Sequence, residues 1–215
     1  MELVHWFVDI VLHLDRHLAE LLAQYGVWIH GILFAVIFAE TGLVVTPFLP
    51  GDSLLFALGA MAAIDTGGTL STPLLWALLG AAAILGNTAN YFIGRRIGAQ
   101  AFSGRYAFIN VEYLRRTEGW FDRHGPATIV LSRFAPIVRT FAPFVAGIGR
   151  MHFGRFSAYN AIGGIAWVGL FLWGGTLFGN LPAVRGNFGL VTIGIIVVSM
   201  LPMVVMAVRD RASRR

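Results

Sequence analysis

The chain has no cysteine and no lysine, and only 13% of its 215 residues are charged. Without cysteine, neither a disulfide framework nor a thiolate metal site can be built. A soluble domain of this length carries roughly 25% charged residues, because its surface must be wet. A chain this poor in charge has hydrocarbon as the solvent over most of its surface. Lacking lysine, it draws all 16 of its basic side chains from arginine. A guanidinium keeps its charge and offers a planar fork matched to phosphate, so arginines inside apolar segments are the informative ones. The N-terminus, MELVHWFVDI, has an acid at position 2 and no basic run, and matches a cleaved signal peptide poorly.

What the chain has instead is apolar bulk, with 57% hydrophobic residues and a mean hydropathy of +0.72. With its helix-length apolar runs, this predicts an all-α polytopic membrane protein built as one compact membrane domain. The basic isoelectric point, near 10.4, then points to anionic lipid headgroups as partners and not to nucleic acid.

Residues 1–25 alternate apolar and charged positions at helical spacing, which predicts an N-terminal amphipathic helix at the interface. His13 and His17 lie one turn apart there and read as a solvated face, not a metal site. A membrane domain is expected over 26–180. Its first apolar run, Val27 to Ala39, would rise only about 20 Å as a helix against a hydrocarbon core of about 30 Å. A break containing Glu40, Pro47, Pro50, Gly51 and Asp52 follows, and then a second short run to Ile64. Two sub-length runs around such a break predict a re-entrant segment over 27–64, since irregular backbone at that depth needs protein or a wet cavity around it.

Further along, a span is expected at 73–93, a cytoplasmic amphipathic segment at 99–125 and a second broken segment at 126–149. Spans at 156–179 and 188–208 and a basic tail, 209–215, complete the chain. Eight arginines between Arg95 and Arg155 lie outside the spans, and two spans separate that region from the four arginines of the tail. The positive-inside rule places both regions, and the C-terminus, in the cytoplasm.

Four charges fall inside the broken segments: Glu40, Asp52, Arg133 and Arg139. Each costs about 2.5–3.5 kcal/mol to insert, so a functional site is the first reading and a buried ion pair the second. Arg133 and Arg139 would stand about 240° apart on a straight helix. Pro136 is placed to break that helix, and with Pro143 it is taken as hairpin-forming, as are Pro47, Pro50 and Gly51 in the first segment. Two converging guanidinium groups would suit a phosphate or phosphodiester. Glu40 and Asp52 could pair with them or carry protons. Asn87, Asn90 and Tyr91 on the span 73–93, with Ser132, are candidate cavity-lining residues, and interhelical hydrogen bonds are an equal reading for the first three. A Phe-x-Pro recurs in both broken segments (Phe48-Leu-Pro50, Phe141-Ala-Pro143), and the segments open from opposite sides. That arrangement is inverted-repeat-like, with two opposed re-entrant helices plus spanning helices.

The runs ETGLVVTPFLPGD (40–52), GNTANYFIGRRIG (86–98), HG (124–125) and SRFAPIVRTFAPFVAG (132–147) resemble the DedA family of bacterial membrane proteins. The family is also described by the SNARE-associated or VTT domain name. The resemblance covers roughly residues 27 to 180. It implies a lipid translocase of the inner membrane that depends on the proton-motive force. Its substrate would be undecaprenyl phosphate or a phospholipid. It also implies functional acids at Glu40 and Asp52 and paired arginines at Arg133 and Arg139. One departure is Asn87, where many members carry Asp after the glycine.

Two other readings compete. Ser132-Arg133 opens like the lipid-phosphatase motif Ser-Arg-x5-His-x3-Asp, but Arg139 stands at the nucleophile position and Pro143 at the acid position. A phosphohistidine route therefore fails, and no enzyme activity is expected. A structural adaptor acting through 99–125 is the other, and an adaptor should tolerate Arg133→Ala. Protons and a phosphate-bearing or anionic lipid are the expected partners, with no cofactor and no metal, and a homo-oligomer is left open. For orientation, a C-terminal fluorescent-protein fusion should be bright and a C-terminal alkaline phosphatase fusion inactive. The reverse pair of results overturns the cytoplasmic assignment.

Overall fold

The computed structural model describes residues 14–43, 51–103, 111–187 and, in part, 189–198. Expectations that fall on residues 1–13, Pro47, Pro50, most of 188–208 and the tail lie outside the described residues. Those described form helices and turns with no strand. The principal helices are α1 (Leu14–Tyr25), α2 (Ile29–Gly42), α3 (Gly51–Ala62), α4 (Thr72–Ile97) and α5 (Val111–His124). Three more follow as α6 (Thr128–Leu131), α7 (Pro136–Ile148) and α8 (Phe153–Phe178), and a short turn of helix, α9 (Pro182–Arg185), comes after them.

Among the described residues, three helical stretches, Arg16–Gly42, Thr72–Ile97 and Phe153–Phe178, are long and apolar enough to cross a bilayer. The first takes in two helices, α1 and α2, where the sequence expectation has an interfacial helix and a short apolar run. A left-handed Gly26 (φ 51°) ends α1, and the 3-10 turn Gly26–Trp28 leads into α2. By contrast α3, at 12 residues, and α7, at 13, rise only about 18–20 Å and cannot cross alone.

Each broken segment divides its two arms between the two long helices. In the first, α2 packs on α4 and α3 packs on α8. In the second, α6 packs on α8 and α7 packs on α4. The crossings are close because glycines meet backbone. A Cβ on Gly59 would overlap the Leu172 carbonyl, and one on Gly175 would overlap the Phe56 carbonyl, so α3 and α8 approach to backbone contact. Gly94 and Gly147 repeat the arrangement between α4 and α7, against the carbonyls of Phe144 and Tyr91. Small residues at such crossings provide the packing that lipid, being as apolar as the side chains, does not drive.

The largest apolar cluster lies among α2, α3, α4 and α8, with Leu33, Ile37, Leu55, Leu58, Leu79 and Trp167 fully or almost fully buried. Outside it, α5 turns Leu114 inward against Phe141, Phe144 and Val145 of α7 and leaves its charged face in water. The 65–72 loop is organised by Asp65, whose carboxylate accepts from Gly67 N at 2.9 Å and Leu70 N at 2.6 Å. The Leu70 amide above all holds that carboxyl below its ordinary range.

The α3–α8 crossing gives a direct test of packing. Gly175→Val should cost about 1–3 kcal/mol through overpacking, read as a lower thermal midpoint in detergent. Gly174→Ala, where a Cβ meets nothing within 4 Å, should move it little. Equal effects at the two positions would contradict the backbone contact.

Candidate functional site

The irregular backbone sits where the charges are. Glu40 lies in the last turn of α2 and Asp52 in the first turn of α3, two residues into the helix where its dipole favours an anion. In the second segment the chain leaves the helix at Ala135 (φ −129°, ψ 100°), the residue ahead of Pro136. Extended backbone is what a proline imposes on its predecessor. The proline then opens α7 at a position where its missing N–H costs nothing. Pro143 behaves differently from the expectation of a hairpin-forming residue. It lies inside α7, which continues through it to Ile148. The ring removes one helical donor, the one to the Arg139 carbonyl, and neighbouring helices hold the turn in place.

Arg139 is the centre of the cluster. Its Nη2 donates to Glu40 Oε1 at 2.6 Å and its Nη1 to Asp52 Oδ1 at 2.8 Å. All three side chains are buried, so one guanidinium ties together α2, α3 and α7. Trp167 of α8 closes the group. Its Nε1 donates to Asp52 Oδ1 at 2.9 Å, and its ring centroid lies 5.1 Å from Arg139 Cζ. Gly51 is required by closeness, since a Cβ there would overlap the Glu40 carboxylate.

Arg133 adjoins the same ring, with Cζ 5.8 Å from the centroid, and is only 1% exposed. No carboxylate pairs with it among the described residues. Its Nη2 donates to Asn160 Oδ1 at 2.8 Å. The Asn87 amide adjoins the same nitrogen. With its oxygen toward the guanidinium it accepts at 2.9 Å and its nitrogen donates to the Thr41 carbonyl at 3.2 Å. The other orientation donates to Asn160 Oδ1 at 3.0 Å and faces donor to donor on the arginine, whereas the first sets the two amide oxygens 3.0 Å apart; in either, the Asn87 amide lies between Arg133 Nη2 and Asn160 Oδ1. Arg133 Nε and Nη1 remain without a partner among the described residues.

Other expected cavity residues serve the packing. Asn90 donates to the Thr140 carbonyl at 2.8 Å, and the Tyr91 hydroxyl donates to the Met151 carbonyl at 2.5 Å. Ser132 turns its hydroxyl back to Ile129 O at 3.1 Å on its own segment. Asn160 and Trp167 were not singled out from sequence. They stand seven residues apart, hence on one face of α8, with Gly163 and Gly164 between them. An asparagine on the same face as a tryptophan and two glycines was the available signal. A separate cleft of 480 Å³ lies between α5, α7 and α8, lined in part by Glu118, Asp122 and Arg155. Burial raises the Glu118 carboxyl above its ordinary value, and Asp122 adds to the effect.

Long apolar helices, short paired ones and a buried cluster of opposite charges define an integral membrane protein with a polar core. A family model described as the VTT domain matches residues 49–177. The chain is 50% identical to Protein DedA of Escherichia coli over 212 residues, 98% of this chain and 96% of that one. It is 38% identical to an uncharacterized membrane protein of Mycobacterium tuberculosis, Rv0364, over 86% of this chain and 81% of that one. With the inner membrane protein YghB of Salmonella typhimurium it shares 36% identity over 82% of this chain and 81% of that one. The chain therefore belongs to the DedA family of VTT-domain membrane proteins. No solved structure matches it.

Removing Arg139 should leave two buried carboxylates without a counter-charge. Arg139→Ala should lose about 3–5 kcal/mol of stability in detergent. Adding Glu40→Gln and Asp52→Asn to it should restore part of the loss. An equal loss in the single and triple variants would contradict charge pairing as the cause.

Proposed function

We propose that this protein is a lipid translocase that moves a phosphate-bearing lipid, undecaprenyl phosphate or a phospholipid, across the bacterial inner membrane. The observation that carries the reading is Arg133, a fully buried guanidinium with two nitrogens unpartnered among the described residues, set beside the Arg139–Glu40–Asp52 cluster. A buried cation without a counter-charge is costly, and an anion supplies both charge and acceptors. The headgroup phosphate would sit on Arg133 and Arg139 while the acyl or prenyl tails stay in the bilayer. The relative YghB carries the name of an inner membrane protein, which supports the location.

The packing supports an alternating-access reading. On it, the two broken segments are re-entrant hairpins entering from opposite faces, and the site lies at the midplane between them. Each hairpin has one arm on each long helix, so a shift of either hairpin changes the surroundings of the charges. The acids would supply proton coupling. A phosphate that binds Arg139 competes with Glu40 and Asp52 for the same two nitrogens. The carboxylate it frees loses its counter-charge in a dry site and takes a proton. The proton then leaves when the carboxylate re-pairs with Arg139 after the lipid departs. No covalent step and no cofactor enters this scheme, and the protein is read as a transporter and not an enzyme.

The test is reconstitution with a panel of labelled lipid phosphates. Arg133→Ala, inserted and folded, should slow transport of the preferred lipid by at least about tenfold, as expected for loss of a charged hydrogen-bond donor. Wild-type transport should respond to an imposed pH gradient. Transport indifferent to the gradient would remove the coupling, and release of free phosphate from the lipid would replace the translocase with a phosphatase.

A further inference from the structure

We propose that the two arginines have different tasks, and that Asn87 and Asn160 make Arg133 the receiving group for a phosphate-type oxyanion. Asn87 sets the charge selectivity of the site. This rests on the translocase reading and assigns its first contact.

Arg139 has its charge matched by two carboxylates, and only its Nε lacks a partner among the described residues. Both of its terminal nitrogens are bonded to carboxylate oxygens, at 2.6 and 2.8 Å. An arriving anion would have to displace a carboxylate from it. Arg133 is held differently. Its Nη2 donates to Asn160 Oδ1 at 2.8 Å and to the Asn160 carbonyl at 3.4 Å, and the Asn87 amide adjoins it at 2.9 Å. Neutral amides orient the guanidinium and leave its positive charge intact. The oxygen of Asn160 is aimed by the opposite end of its amide, where Nδ2 donates to Ile84 O at 2.9 Å. Nε and Nη1 keep their donors for an outside acceptor.

The backbone of α8 is shaped to admit this group. A Cβ on Gly163 would stand 3.2 Å from Arg133 Nε, and one on Gly164 would stand 3.2 Å from Nη2. The two glycines therefore let the guanidinium lie against the helix. The Trp167 ring stands within cation–π distance of both arginines, so Arg133 is shared by aromatic and amide surfaces while the carboxylates stay with Arg139.

Selectivity follows from position 87. Its amide lies at ion-pair distance from Nη2, so a carboxylate there would neutralise Arg133 from within and compete with any ligand anion. An amide gives the same geometry without that competition. The ligand chemistry is a phosphate-type oxyanion, which could arrive as a lipid headgroup or as free phosphate.

The experiment measures binding of dodecyl phosphate and of inorganic phosphate to the full chain purified in detergent. The proteins are the wild type, Asn87→Asp, Asn160→Asp and, as a charge control outside the site, Asn180→Asp. The first two variants should bind at least about tenfold more weakly than wild type, and Asn180→Asp should bind within about twofold of it. The thermal midpoint of Asn87→Asp should be unchanged or higher, because the new carboxylate pairs with Arg133. That result separates lost binding from lost folding, and Asn160→Asp brings the same charge from a different helix if the first variant does not fold. Wild-type affinity in Asn87→Asp overturns this inference and leaves the translocase reading standing. Wild-type protein that binds neither phosphate overturns both. Tighter binding of dodecyl phosphate supports a lipid headgroup. Equal binding of the two supports the anion site and removes the lipid from the proposed function.

Discussion

One buried guanidinium, Arg139, organises the structure by bonding Glu40 and Asp52 from the two ends of a broken segment. In a low-dielectric interior neither the cation nor the two anions could be held alone, and each would cost several kcal/mol unpaired. Paired, they lock α2, α3 and α7 to one point, and Trp167 brings in α8 through Asp52. The same condition that makes the cluster stable makes it responsive. A ligand phosphate is among the few groups able to replace a carboxylate there, and any replacement leaves a buried acid looking for a proton.

The closeness of the helices is the second condition. Arg133 and Arg139 both reach one indole because α8 runs against α3 at glycine crossings and carries no Cβ at Gly163 and Gly164 beside Arg133. The crosswise sharing of arms between α4 and α8 then couples the hairpins to each other. Packing and electrostatics are thus not separable here. A side chain added at an α3–α8 crossing shifts the charges, and a charge removed releases the crossing.

Much of this was legible in the sequence because it depends on rare residue types in the wrong solvent. Charges inside apolar runs are few, so Glu40, Asp52, Arg133 and Arg139 stood out at once, and Pro136 marked the place where the helix had to end. What could not be read was partner choice. Nothing in spacing says that Arg139 takes both acids and Arg133 takes two amides, since that depends on how α7 is rotated after the break at Ala135. Pro143 misled because a proline in a membrane helix can be accommodated when neighbouring helices satisfy the turn. The boundary after residue 25 was legible in the amphipathic spacing that ends there, and the left-handed Gly26 with a single 3-10 turn marks it in the structure. Asn160 was missed because one amide in an apolar helix is easily taken for interhelical packing.

The central claim is a division of labour, with Arg139 neutralised by the protein and Arg133 kept for an external anion. The most direct measurement is an experimental structure of the protein with a phosphate-headgroup lipid bound. The account predicts headgroup oxygens on Arg133, between the Asn87 and Asn160 amides, with Glu40 or Asp52 still on Arg139. A headgroup bound elsewhere, with Arg133 paired to one of the carboxylates, would contradict it.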